Sequence, residues 1–173
     1  TYSKKDGLCS QNIREIFEDK QGNLWLGSNS EGISVFNGKT FKNYNTKNGL
    51  TFNGVLGIDE DNKGQIWLAT YSGGLISFKN GKFKYFGKQQ GLSNLLICDV
   101  LCDSKGNVWV ATSGSGMFKF DGKTFISYSV AEGLSNNVVL SLLEDKYGNI
   151  WAGTYGGGIC QYTAKQFTYL SET

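Results

Sequence analysis

Apolar residues fall along this chain in short clusters separated by Gly, Asn, Asp and Lys. The first copy of the pattern reads Ile13 to Asp19, the turn Lys20-Gln21-Gly22, Asn23 to Ser28, a glycine-containing loop, Ile33 to Phe36, the turn Asn37-Gly38-Lys39, and Thr40 to Tyr44. Short apolar runs bounded by turn residues predict four strands of about five residues each. The runs are apolar at both parities, as in Leu24-Trp25-Leu26 and Ile66-Trp67-Leu68. Such strands have both sheet faces covered, whereas a sandwich with one wet face would alternate.

The same pattern returns every 42 residues with no insertion. Trp25, Trp67, Trp109 and Trp151 share one phase, and Asp19, Asp61, Asp103 and Asp145 share another. Gly22, Gly64, Gly106 and Gly148 follow the same spacing, as do Gly7, Gly49, Gly91 and Gly133, and Phe41, Phe83, Phe125 and Phe167. Repeats of this length are helix pairs or four-stranded propeller blades, and the strand pattern selects the second. The expected fold is all-β, a β-propeller of four antiparallel blades near residues 3–44, 45–86, 87–128 and 129–170, in one unit spanning 1–173. Each Asp precedes a tight turn in which its carboxylate accepts backbone N–H bonds and the Gly takes positive φ. Each Trp supplies a large apolar surface for packing one blade on the next.

Glu18-Asp19-Lys20-Gln21-Gly22-Asn23-Leu24-Trp25-Leu26-Gly27 resembles the two-component regulator propeller repeat, and all four units match it. Asp145 to Thr154 followed by Gly156-Gly157-Gly158-Ile159 is the most similar copy, and Gly91-Leu92-Ser93-Asn94 and Gly133-Leu134-Ser135-Asn136 fit the segment before the first strand. The resemblance implies part of the extracytoplasmic sensor region of a bacterial histidine kinase, often a hybrid one, in which propellers detect ligands such as oligosaccharides. It also implies a periplasmic or extracellular location. Members commonly carry seven blades in a ring, so four blades form a partial ring or half of an eight-bladed one.

Composition narrows the chemistry. The chain has 24 Gly and no Pro, and its 17 basic and 15 acidic residues give a net charge of +2. The lysines recur in turns rather than massing on a face, which predicts no nucleic-acid partner. No apolar run approaches the roughly 20 residues of a membrane span, and the expectation is no membrane contact by this segment. The chain contains no His, which removes Ser-His-Asp and Cys-His machinery and the commonest metal ligand. Cys9, Cys98, Cys102 and Cys160 lie at different phases and lack metal-ligand spacing, so free packing thiols are expected, with a redox switch as the functional counter-reading. Asp59 to Gly64 has a faint likeness to a calcium loop, but its twelfth position is Thr70 rather than Glu. Glu15, Asp59 and Asp99 are the carboxylates that a two-carboxylate glycosidase would use, yet the equivalent positions of other blades hold unrelated residues. The reading is no catalytic residue, no metal and no cofactor.

Function is expected where the copies differ, because the shared residues already serve to build blades. The loop before the first strand and the loop between the second and third should reach one face. The latter contributes the column Asn29, Tyr71, Ser113 and Tyr155, and channel-side positions of first strands add Arg14, Glu15 and Asp99. The leading reading is a noncatalytic module that binds a small molecule or oligosaccharide, with Tyr71 and Tyr155 as stacking platforms. The alternative is a protein-interaction or structural scaffold. Tyr2 aligns with Tyr44, Phe86, Tyr128 and Leu170, leaving four whole units with two apolar faces open. The expected assembly is a two-fold dimer forming an eight-bladed ring at about 45° per blade, with a compact four-bladed monomer as the alternative.

Overall fold

A computed structural model of the chain describes residues 1–163 and 166–169. Its strands form four antiparallel four-stranded sheets, each made of consecutive strands. The first blade holds β1 (Ile13–Glu18), β2 (Leu24–Ser28), β3 (Ile33–Phe36) and β4 (Phe41–Tyr44). The second holds β5 (Val55–Glu60), β6 (Ile66–Thr70), β7 (Leu75–Lys79) and β8 (Lys82–Phe86). The third comprises β9 (Ile97–Cys102), β10 (Val108–Thr112), β11 (Met117–Phe120) and β12 (Phe125–Tyr128), and the fourth β13 (Val139–Glu144), β14 (Ile150–Thr154), β15 (Ile159–Thr163) and β16 (Gln166–Tyr169). The all-β propeller architecture read from the sequence is the fold. Leu170, the last member of the Tyr2 column and the end of the fourth expected blade, lies outside the described residues.

The strands begin and end about one residue inside the expected limits because the flanking polar residues work in turns. Asp19 donates its N–H to the Asn23 carbonyl at 2.9 Å and accepts the Gly22 N–H at 2.9 Å, so β1 ends at Glu18. Short 3-10 turns at Lys4–Asp6, Lys88–Gln90 and Val130–Glu132 precede blades one, three and four, where the sequence predicted only loop. Each ends on a glycine in the left-handed region, with φ of +103° at Gly7, +90° at Gly91 and +101° at Gly133. A side chain there would be strained. The next residue, Leu8, Leu92 or Leu134, enters the core.

Each core is shared by two blades. Trp25, Ile33 and Val35 of the first blade pack on Ile58, Ile66, Leu68, Ile76 and Phe78 of the second. Trp67 and Ala69 meet Val100, Val108, Val110, Phe118 and Phe120 at the next seam, and Trp109 and Met117 meet Ile150, Ala152 and Cys160 at the third. Alternate residues of one strand therefore serve different seams, which explains why the runs are apolar at both parities. First strands of successive blades lie against one another, β1 on β5, β5 on β9 and β9 on β13, so they face the propeller axis.

Candidate functional site

At one rim every blade repeats the same device. Asp19 accepts hydrogen bonds from the backbone N–H groups of Gln21 (3.0 Å) and Asn23 (2.8 Å) and from the Trp25 indole (2.8 Å). Asp61, Asp103 and Asp145 do the same, reaching the indoles of Trp67, Trp109 and Trp151 at 3.2, 2.8 and 2.9 Å. The turn-forming role expected of the Asp is therefore present, but the sequence reading missed that the Asp also fixes the Trp. The signal was available, since the two residues recur six apart in every copy. At Asp19 and Asp145 these bonds favour the ionised carboxylate. At Asp19 burial pushes the pKa up, and the bonds from Trp25 and Asn23 outweigh it; at Asp145 the Trp151 bond leads in holding the carboxyl well below its usual range.

The carboxylates on the first strands act across blades. Asp59 accepts the N–H of Glu60 at 2.7 Å and that of Cys102, on the neighbouring blade, at 2.7 Å. Asp99 accepts Val100 N–H at 2.8 Å and Leu142 N–H, again one blade further, at 2.8 Å. Both oxygens of each side chain thus bind main-chain donors, one of them on the next blade's axial strand. Burial raises the Asp99 pKa to about 6, opposed by those N–H donors and reinforced by the charge of Asp59. Glu15 is raised by burial and then by the Asp99 charge, with exposed Arg14 pulling the other way. The structure therefore brings Arg14, Glu15, Asp59 and Asp99 into one electrostatic group at the axis. A raised carboxyl suits a general acid, but here Asp99 is engaged as an inter-blade staple.

At the opposite rim the two expected loops do meet. The Tyr71 N–H binds the Gly54 carbonyl at 3.0 Å, Ser113 binds Leu96 at 3.0 Å and Tyr155 binds Val138 at 2.9 Å, so in blades two, three and four the loop after the second strand is tied to its own blade's lead-in. The loops of blades one, two and three also reach forward, with Gly32 N–H on Asn53, Gly74 on Leu95 and Gly116 on Asn137. A hydroxyl closes each loop from inside: Ser28, Thr70, Thr112 and Thr154 donate to the carbonyls of Gly32, Gly74, Gly116 and Gly158 at 2.6 to 2.9 Å. This recurring Ser/Thr was visible at the repeat spacing and was not recognised from the sequence. On this anchored backbone Asn29 and Ser113 are exposed, Tyr71 is 59% exposed and Tyr155 70% exposed. Tyr71 and Tyr155 stand two blades apart, so the column is spread along the rim.

A recess at the turn-side rim, between blades two and three, is lined by Trp67, Lys84, Phe86, Asn107, Phe120 and Asp121. Its aromatic residues are buried in the seam, so they offer no open ring face to a ligand. Exposed rings stand on both rims, Tyr71 and Tyr155 on the loop rim and Tyr147 in the turn of blade four on the other. The four cysteines are free thiols. Burial pushes the Cys102 and Cys98 thiols up, and Cys160 is buried against Ser135, whose N–H lies 3.2 Å from its sulfur. Thiols pushed up in this way are poor nucleophiles, which counts against the redox-switch reading at Cys98 and Cys102.

Residues 7–30, 91–114 and 133–156 match the family model described as two component regulator propeller. No curated protein matches the chain. The extracellular domain of a hybrid two component system from B. thetaiotaomicron is 30% identical over 94% of this chain, with a TM-score of 0.79. A second such extracellular domain from B. thetaiotaomicron is 24% identical over 95% of the chain at a TM-score of 0.77. The chain spans 22% and 25% of those two structures. Virginiamycin B lyase from Staphylococcus aureus, 15% identical over 90% of the chain and 54% of its own length, shares the fold with a TM-score of 0.74. Among the described residues no helix is long and apolar enough to cross a membrane.

Proposed function

Given a chain built of two component regulator propeller repeats, we propose that it is an extracytoplasmic, noncatalytic ligand-binding segment of a sensor, and that its ligand is an oligosaccharide. The observation that carries this reading is the loop rim. There the backbone is fixed by bonds within and between blades while the side chains differ from blade to blade and project into solvent. Tyr71 and Tyr155 offer flat apolar faces with a hydroxyl at the edge, and Asn29 and Ser113 supply hydrogen-bonding groups, the combination that sugar rings and their hydroxyls require. Rigid loops lose little entropy on binding. Catalysis is disfavoured because Asp59 and Asp99 are committed to main-chain donors and no His is present.

A glycan array followed by titration of the strongest binder tests the proposal. Tyr71→Ala or Tyr155→Ala should weaken binding at least tenfold without lowering the melting temperature, and the bound glycan should be recovered intact. Absence of binding to any glycan, or unchanged affinity in both variants, would overturn it.

A further inference from the structure

The lead-in to each first strand carries one capping position at a fixed phase of the repeat, occupied by Ser10, Phe52, Asn94 and Asn136. In three blades the side chain is polar and accepts the N–H two residues further on. Asn12 donates to Ser10 Oγ at 3.1 Å, Leu96 to Asn94 Oδ1 at 2.9 Å and Val138 to Asn136 Oδ1 at 2.8 Å. The Asn94 amide also donates to the Ser113 carbonyl at 3.0 Å. Blade two breaks the pattern, because a phenyl ring can make neither bond. Among the described residues the Gly54 N–H and the Tyr71 carbonyl, equivalent to the Leu96 N–H and the Ser113 carbonyl, have no hydrogen-bond partner. Gly54 is buried, and a buried N–H without a partner is costly and rare. The exchange of a cap for an aromatic ring works against the fold, as residues kept for function do.

Two glycines make room for that ring. The phase of Gly54 carries Asn12, Leu96 and Val138 in the other blades, and the phase of Gly73 carries Glu31, Ser115 and Gly157. Neither Gly54 nor Gly73 lies in the left-handed region, so the missing side chain, not a special backbone conformation, is what these positions use. A Cβ on Gly73 would collide with the Cβ of Phe52. One on Gly54 would lie 3.2 Å from the Phe52 ring, 3.4 Å from the Tyr71 Cβ and 2.7 Å from the main-chain oxygen of Asn29. Half-buried Phe52 and exposed Tyr71 therefore both border a patch of bare backbone that holds an unpaired donor and an unpaired acceptor.

We infer that this patch of blade two is a subsite for one sugar ring and that Phe52 is its specificity-determining residue. The inference rests on the oligosaccharide reading and places one unit of the ligand on the rim. A pyranose presents a face of C–H groups edged with hydroxyls. That face packs on the Phe52 ring beside Tyr71. Hydroxyls at its edge both accept and donate, so they take the Gly54 N–H and bond the Tyr71 carbonyl, supplying the two bonds that Asn94 makes in blade three. A site with polar groups left to be paired by its ligand discriminates strongly against analogues that lack the matching hydroxyl.

The deciding variant is Phe52→Asn, which gives blade two the capping residue of blades three and four. Its melting temperature should equal or exceed that of the wild type, because the cap returns. Its affinity for the strongest binder from the glycan array should fall at least tenfold. In the nitrogen-15-labelled wild-type chain, the Gly54 amide resonance should move on saturation with the same glycan. Unchanged affinity in Phe52→Asn, or a Gly54 amide that stays in place, overturns the subsite and leaves the oligosaccharide reading standing. A wild-type chain that binds no glycan overturns that reading itself, and the subsite with it.

Discussion

The two rims of this propeller solve opposite problems with the same strands. At the turn-side rim all four blades use one set of side chains, Asp and Trp, bound in one geometry. At the loop rim the fixed element is the backbone, closed by Ser28, Thr70, Thr112 and Thr154, and the exposed residue just beyond is Asn, Tyr, Ser or Tyr. The contrast separates the side chains that hold the blades together from those left free to vary. Identical side chains hold the blades at one end, which leaves the other end free to differ without loss of fold.

The sharpest way to break this contrast is to alter both rims of one blade. Asp103→Ala leaves the buried Trp109 indole without its acceptor and frees the backbone donors of Lys105 and Asn107, so it should cost on the order of 3 kcal/mol in urea unfolding. Ser113→Ala, on the loop rim of the same blade, should change stability by no more than about 0.5 kcal/mol. Equal costs at both positions would contradict the division of labour.

A smaller effect is expected at the axis, between the rims. The Asp99 carboxyl lies above its ordinary value of 3.8, at about 6, so its ionised form is the less favourable one in the folded state. Its stabilising contribution is complete below pH 3.8 and is lost as the pH rises through 6, a change of roughly 2 to 3 kcal/mol. Relative to Asp99→Asn, the native protein should therefore lose stability between pH 5 and 7.5 in paired urea titrations. A constant difference across that range would show that Asp99 does not titrate as described. The smallest effect belongs to Tyr71→Ala and Tyr155→Ala, whose melting temperatures should match the parent because the loop bonds they leave behind are main-chain bonds.

What the sequence discloses follows the same line. The blade pattern, the turn Asp and the paired loops were legible because they recur at a fixed spacing. The staples from Asp59 to Cys102 and from Asp99 to Leu142 were not, for two physical reasons. Asp59 sits at a phase where the other blades carry Phe17, Leu101 and Leu143, Asp99 at one where only Glu15 is also acidic, and the partner of each is a backbone N–H, a donor that every residue except Pro possesses. Sequence could therefore propose Asp99 as a channel-facing site residue but could not show that both its oxygens are occupied. Tyr71 and Tyr155 were found by their variation, and the structure adds that they are exposed and two blades apart.

The forward bonds of the loop rim have a consequence for how such a chain changes length. Gly32, Gly74 and Gly116 hold Asn53, Leu95 and Asn137 through N–H and carbonyl groups alone, so this bond between blades is indifferent to which unit follows. A recombination event that removes or duplicates a whole unit reproduces every one of these loop-rim bonds, wherever within the unit the crossover falls. One that is off by a few residues places a strand where a turn belongs. The architecture thus grows and shrinks in whole steps, and a gene encoding it tolerates large rearrangements more readily than small ones.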